Sequence, residues 1–192
     1  MRIFALCACA ALLACAATIP PVEVTRFHID QPITPAAIAI LPAPGGDPQG
    51  LEFRTYGAAV AKQLARLGYL EATDPKSPFI AEVDYVRGTR TDVARRSPFS
   101  IGIGTGSYGR GGGFGIGTSF GVGGGGTRDT VTTRLSVRIK ARADGKPVWE
   151  GKAQTSAPAN APAAQPGLAA EKLAAALFKG FPGKSGETIS VP

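Results

Sequence analysis

The chain has 192 residues, 26 of them glycine and 16 proline, and a formal charge of +7. That length fits one domain with a short extension. No stretch reaches the ~20 consecutive apolar residues of a transmembrane helix, and the glycines lack collagen's strict period, so multi-span membrane and collagen-like classes are excluded. The glycine excess is local, because 14 of the 25 residues from Gly102 to Gly126 are glycine. The rest of the chain reads as an ordinary globular domain.

The N-terminus reads as a secretory signal. Met1-Arg2 is followed by the 12-residue apolar run Ile3–Ala14, too short to span a bilayer. Leu12-Leu13-Ala14-Cys15 resembles the bacterial lipobox. The resemblance implies cleavage before Cys15 and lipidation of that cysteine. Cleavage there removes Cys7 and Cys9, leaving no pair for a disulfide and no free thiol. Several acyl chains on Cys15 hold a protein stably, where one chain alone binds marginally. The Ala at position 16 favours the outer membrane, by resemblance to enterobacterial lipoproteins. The alternative is an ordinary signal peptide cleaved nearby.

After a tether at 15–21, Val22–Ile29 is rich in β-branched and aromatic residues and predicts a strand. Ala37–Leu41 predicts a short buried strand, and Pro42, Pro44, Gly45 and Gly46 a loop. Asp47-Pro48 has the form of an N-cap with proline at the first helical position. Phe53, Tyr56, Val60, Leu64 and Leu67 then form one helical stripe, which Gly68 ends. Phe79–Arg87 alternates, with Phe79, Ala81, Val83 and Tyr85 on one face and Ile80, Glu82, Asp84 and Val86 on the other. Val131–Ala141 alternates more strictly, placing Arg134, Ser136, Arg138 and Lys140 on its polar face. Asp144-Gly145 is a strong hairpin signal leading to a strand over Pro147–Thr155 that carries Trp149. An Ala/Pro linker follows, Ser156–Gln165. A helix then opens at Pro166, with Ala169, Leu173, Ala176 and Leu177 as its stripe, and stops at Gly180 and Pro182. Residues 183–192 read as a polar, loose tail.

This order predicts an α+β two-layer sandwich: a mostly antiparallel sheet, two helices and a glycine-rich hairpin or loop, with 22–182 as one domain and 102–126 as an insertion. Within the tract, Ile103–Gly109 is echoed by Ile116–Gly121 around the turn-forming Arg110–Gly113. A loose loop, a hairpin with one nearly bare face, and an arm that contacts a partner or membrane all fit this pattern.

Catalytic look-alikes carry little weight. Gly104-Thr-Gly106-Ser-Tyr-Gly109 matches a dinucleotide-loop pattern, yet more glycine follows where a helix is needed. Gly117-Thr-Ser119-Phe-Gly121 matches a hydrolase elbow, but His28 is the one histidine and lies far upstream. Gly183-Lys184-Ser185 ends like a phosphate loop but follows a helix and lacks its first glycine. Glu82 and Asp84 share a strand face and have the form of an acid/base pair, although facing Arg134 and Arg138 across a sheet is the better reading. No cofactor, metal ligand set or enzymatic activity is expected.

The positive charge is confined. From Arg87 to Lys146 there are 11 Lys/Arg against 3 Asp. Arg87, Arg90, Arg95, Arg96, Arg134, Arg138, Lys140 and Arg142 are the candidate anion-binding residues. Export argues against nucleic acid as the partner. Anionic lipids or glycans of the envelope, acidic envelope proteins, or a solvated face without ligand remain.

Leu64–Tyr69, Asp84, the glycine-rich middle, Val148-Trp149-Glu150-Gly151 and Phe178–Pro182 occur in an order that resembles an uncharacterised group of bacterial envelope lipoproteins, domain-of-unknown-function family 4136. The resemblance covers most of 22–182. It implies a location and a fold and carries no catalytic residues. The expected function is that of a non-catalytic, lipid-anchored outer-membrane protein facing the periplasm, an accessory or interaction module of the envelope. The second reading is a binder of anionic envelope lipids or glycans. The oligomeric state is left open.

Overall fold

The computed structural model describes residues 20–30, 32–72, 76–92 and 128–192. Cys15, Arg95, Arg96, Ser119 and the glycine-rich tract lie outside the described residues. In chain order the elements are β1 (Val22–His28), β2 (Ala37–Pro42), α1 (Leu51–Arg66), β3 (Leu70–Glu71), β4 (Phe79–Asp92), β5 (Arg128–Ala141), β6 (Pro147–Pro158), a 3-10 turn (Pro162–Ala164), α2 (Pro166–Phe178) and β7 (Thr188–Val191). The strands form one seven-stranded sheet in the order β3-β2-β4-β5-β6-β1-β7. β2 runs parallel to β3 and β4, and the other pairs are antiparallel. This is the α+β sandwich expected from the element order.

Both helices pack on one sheet face. Phe53, Tyr56, Val60 and Leu64 of α1 and Leu173, Leu177 and Phe178 of α2 join Ala81, Val83, Leu135, Val137, Ile139 and Trp149 in one core. Burial follows the period of two: Val131, Thr133, Leu135, Val137 and Ile139 are buried, while Arg134 and Arg138 between them are exposed. Fully burying one such aliphatic side chain contributes about 1.5–3 kcal/mol.

α1 begins later than Asp47-Pro48 suggests. The Asp47 carboxylate instead accepts from the Gln49 N–H at 2.8 Å, and Gly50 caps the helix without a side-chain hydrogen bond. The competing local turn takes the side chain that the cap would have used. Gly68, at φ +90, ends the helix as expected, and the Tyr69 N–H reaches back to the Leu64 carbonyl at 3.0 Å. The strands run longer than their sequence patterns. β4 and β5 stay paired to Asp92–Arg128, and β6 extends through Pro158 into the stretch read as a linker.

The C-terminal residues are a correction. The stretch read as a loose tail supplies β7, which pairs with Val22–Thr25 of β1 and buries Val191. Four residues give too little alternation for periodicity to register. Just before β7, Ser185 Oγ accepts from the His28 N–H at 3.2 Å and the Gly186 N–H donates to the Arg26 carbonyl at 2.8 Å. The phosphate-loop look-alike is therefore part of a latch along β1.

Arg26 was not singled out by the sequence, and it is 4% exposed. It points into the helix-covered side and donates to the carbonyls of Leu177 and Ala176, both at 2.9 Å. It thus adds a charged donor to two carbonyls in the last turn of α2, where a cation is favoured. Gly183, at φ +83, lies directly against this guanidinium, where a Cβ would stand 2.6 Å from its Nη1.

Candidate functional site

Among the described residues the second sheet face carries no helix. Its side chains fall into cross-strand rows set by the register. One row runs Glu82–Arg138–Glu150–Phe27 across β4, β5, β6 and β1. The next runs Asp84–Ser136–Lys152–Thr25, with Thr188 of β7 beyond Thr25. The third runs Val86–Arg134–Gln154–Glu23.

These rows are paired internally. Arg138 donates to Glu150 at 2.6 Å and stands 3.9 Å from Glu82. Lys140 donates to the other oxygen of Glu82 at 2.6 Å. Arg134 forks onto the Gln154 side-chain oxygen at 3.1 and 2.9 Å. Thr25 and Thr188 share a hydrogen bond at 2.7 Å. Glu82 therefore faces cations across the sheet, as expected, but the cations are Arg138 and Lys140, and Arg134 goes elsewhere. Asp84 and Lys152, on either side of Ser136, have no ion pair among the described residues. They line a groove of about 280 Å³ closed by Phe27 and Pro44.

The fold divides the eight candidate anion-binding residues. Arg134, Arg138 and Lys140 share the open face on β5. Arg90 lies at the far end of β4. Arg87 sits on the helix-side face of the same strand and donates to the Ala164 carbonyl at 2.6 Å. Arg142 leaves the sheet and holds the loop before β4, donating to the Ser77 carbonyl at 2.6 Å and to its hydroxyl at 3.0 Å. Arg95 and Arg96 are outside the described residues. The open face gains Glu150, Lys152 and Thr25, which the charge count did not single out. Their signal is the period-two pattern of β6, legible once β6 is known to lie between β5 and β1.

His28 ends β1, its Nε2 3.2 Å from the Gly183 carbonyl. Among the described residues no three His, Cys, Asp or Glu side chains converge as a metal site. No helix among them is long and apolar enough to cross a membrane.

Residues 40–183 match the family described as Domain of unknown function (DUF4136). The chain belongs to the DUF4136 family. An uncharacterized protein of Zymomonas mobilis is 32% identical over 212 aligned positions, covering 89% of this chain and 80% of that protein. Among solved structures, a PDZ domain protein from Parabacteroides distasonis shares the fold at 8% identity and a TM-score of 0.50, over 90% of this chain and 39% of that one. This chain thus spans about two-fifths of that protein. A dodecamer of PelC from Paraburkholderia phytofirmans aligns at 8% identity and a TM-score of 0.44, covering 84% of this chain and 99% of that one.

The DUF4136 sequence features converge in space on the helix-covered side. The Trp149 indole stacks on Phe178 at 5.2 Å, lies 5.3 Å from Phe181, and donates to the Pro182 carbonyl at 3.0 Å. Two residues on and on the same face, Gly151 leaves room for that ring. A Cβ there would collide with the Trp149 ring and stand 2.8 Å from Leu177 Cδ1. Tyr69, turned in by Gly68, meets Phe79 and Phe181 edge-on at 6.2 and 6.4 Å. The Leu-Gly-Tyr, Val-Trp-x-Gly and Phe-Pro stretches are thus one aromatic clasp. They hold the helix-covered side of the fold together.

Proposed function

We propose that this DUF4136 protein is a lipoprotein anchored through Cys15 in the outer membrane and facing the periplasm, and that it acts as a non-catalytic interaction module of the envelope. The observation that carries the anchor is Leu12-Leu13-Ala14-Cys15 ending an apolar run, with β1 starting at Val22. The folded domain thus begins within a few residues of the lipidated position. Support for the module comes from the sheet. One face is closed by two helices, while the other presents ordered rows of paired charges with Asp84 and Lys152, which have no ion pair among the described residues, beside a groove. Mixed, complementary charge on a rigid sheet suits recognition of another protein.

The competing reading, a binder of anionic lipids or glycans, draws on Arg134, Arg138 and Lys140. Glu82 and Glu150 already neutralise two of those three.

In cells fed labelled palmitate, the chain should incorporate label and fractionate with the outer membrane. Cys15→Ser should abolish both, and an unlabelled wild-type chain overturns the anchor. In the same cells an amine-directed crosslinker should join the open face to another polypeptide through Lys152. Lys152→Met should remove that adduct, and a chain that stays monomeric overturns the interaction role.

A further inference from the structure

Two hollows on the open sheet face meet at Lys152. One, of about 280 Å³, crosses the strands from Pro44 past Asp84 and Ser136 to Phe27. The other, of about 350 Å³, lies among Arg134, Gln154, Glu23 and Thr188. Thr25 and Lys152 line both. The row that joins them, Asp84–Ser136–Lys152–Thr25, lies eight residues, about 27 Å, down β4 from that strand's end at Asp92.

The charges around this row differ from those of the row beside it. Glu150 holds Arg138 and Glu82 holds Lys140. Asp84, Lys152 and Arg134 have no ion pair among the described residues, and Arg134 donates to the neutral Gln154 oxygen. Arg134 and Lys152 are diagonal neighbours across β5 and β6, close enough for both heads to meet one carboxylate. Asp84 stands beyond Ser136, two strand spacings or about 9.5 Å from Lys152. Phe27, 54% exposed, is diagonal to Lys152 on the side away from Asp84. From β4 to β1 the groove thus offers a carboxylate, a hydroxyl, a pair of cations and an aromatic ring.

A ligand of one charge sign fits this order badly. A row of phosphates meets Asp84 and Glu23 in the lining as well as the cations. A polypeptide carries both signs and an apolar side chain at fixed spacing. In an extended chain, residues two or three positions apart are separated by about 7–10 Å, which matches the distance from Asp84 to Lys152. We propose that this groove binds an extended segment of a partner protein in which an acidic residue stands between a basic and an apolar one, the basic residue two or three positions from the acid. The carboxylate sits between Lys152 and Arg134, the basic side chain on Asp84 and the apolar one on Phe27. The inference rests on the interaction role proposed above and gives that role a ligand chemistry.

A hexapeptide array tests this with the full chain in dodecyl maltoside micelles. Each peptide carries one Lys, one Glu and one Leu in an Ala/Ser background, in every order and spacing, and a second set has Glu in place of the Lys. Peptides with Glu between Lys and Leu, and Lys two or three positions from the Glu, should be retained about fivefold more than other orders, the gain expected of two partly exposed ion pairs. Asp84→Lys should move the preference to the second set at the same spacing. Asp84→Asn should remove the preference for Lys and keep that for Glu, a readout that holds even where the lysine variant fails to fold. Asp84 is exposed, so neither change reaches the core. Equal retention of every order, wild-type retention of the second set as strong as the first, or no retention at all overturns the groove. With such a result, a Lys152 crosslink to another polypeptide in cells leaves the interaction role standing, and its absence removes both.

Discussion

Tyr69 is 2% exposed, and its hydroxyl has no hydrogen-bond partner among the described residues. Burial pushes its pKa from the ordinary value near 10 up to about 12. The folded protein therefore holds this proton more tightly than the unfolded chain does. The associated stability is fully present below pH 10 and is lost as pH rises from 10 towards 12, by up to about 3 kcal/mol. Urea unfolding at pH 9 and pH 11.5 should show this loss, and Tyr69→Phe should flatten it. Because the hydroxyl is unpartnered, Tyr69→Phe should cost nothing at neutral pH. A wild-type protein equally stable at both pH values counts against the burial argument. The residue's turn was legible from Gly68, which supplies the positive φ. Its neighbours Phe79 and Phe181 were not, because local pattern says nothing about which aromatic rings from distant segments share a pocket.

Element by element, legibility followed length. Both helices and the long strands announce themselves through stripes and alternation, and the Asp144-Gly145 turn through its chemistry. The two-residue β3 and four-residue β7 offer too few positions for a period, so the sequence of β7 looks like a polar tail. Its position at the sheet edge makes a prediction. β7 covers Val22–Thr25 of β1 and brings Ile189 and Val191 against the core. Deleting residues 187–192 removes that burial, worth about 3 kcal/mol, and should lower Tm by roughly 5–10 °C. It also uncovers the N–H and C=O groups of β1, an edge open to pairing with another chain. The truncated protein should self-associate with rising concentration in light scattering. A monomeric variant with an unchanged Tm removes the latch role.

At the scale of the molecule, a charge of +7 invites an anion-binding reading that the topology reshapes. The cationic stretch was legible as a run of sequence. Its neutralisation was not, because Glu150 reaches Arg138 through the β5–β6 pairing and Glu82 reaches Arg138 and Lys140 through the β4–β5 pairing across the whole glycine-rich insertion. Only the register tells which acids face which bases. If those carboxylates hold the cations, Glu82→Gln with Glu150→Gln adds two net positive charges to the face and releases Arg138 and Lys140. Binding of the unlipidated domain to phosphatidylglycerol vesicles should then tighten by about tenfold at low salt and fall back steeply near 0.5 M salt, where the Debye length is shorter than the spacing between rows. The wild-type domain should bind more weakly than the doubly substituted one at low salt, since Arg138 and Lys140 must each leave a carboxylate to take a phosphate. A wild-type domain that binds as tightly as the doubly substituted one shows the pairs to be too weak to matter, and returns the open face to the anion-binding reading.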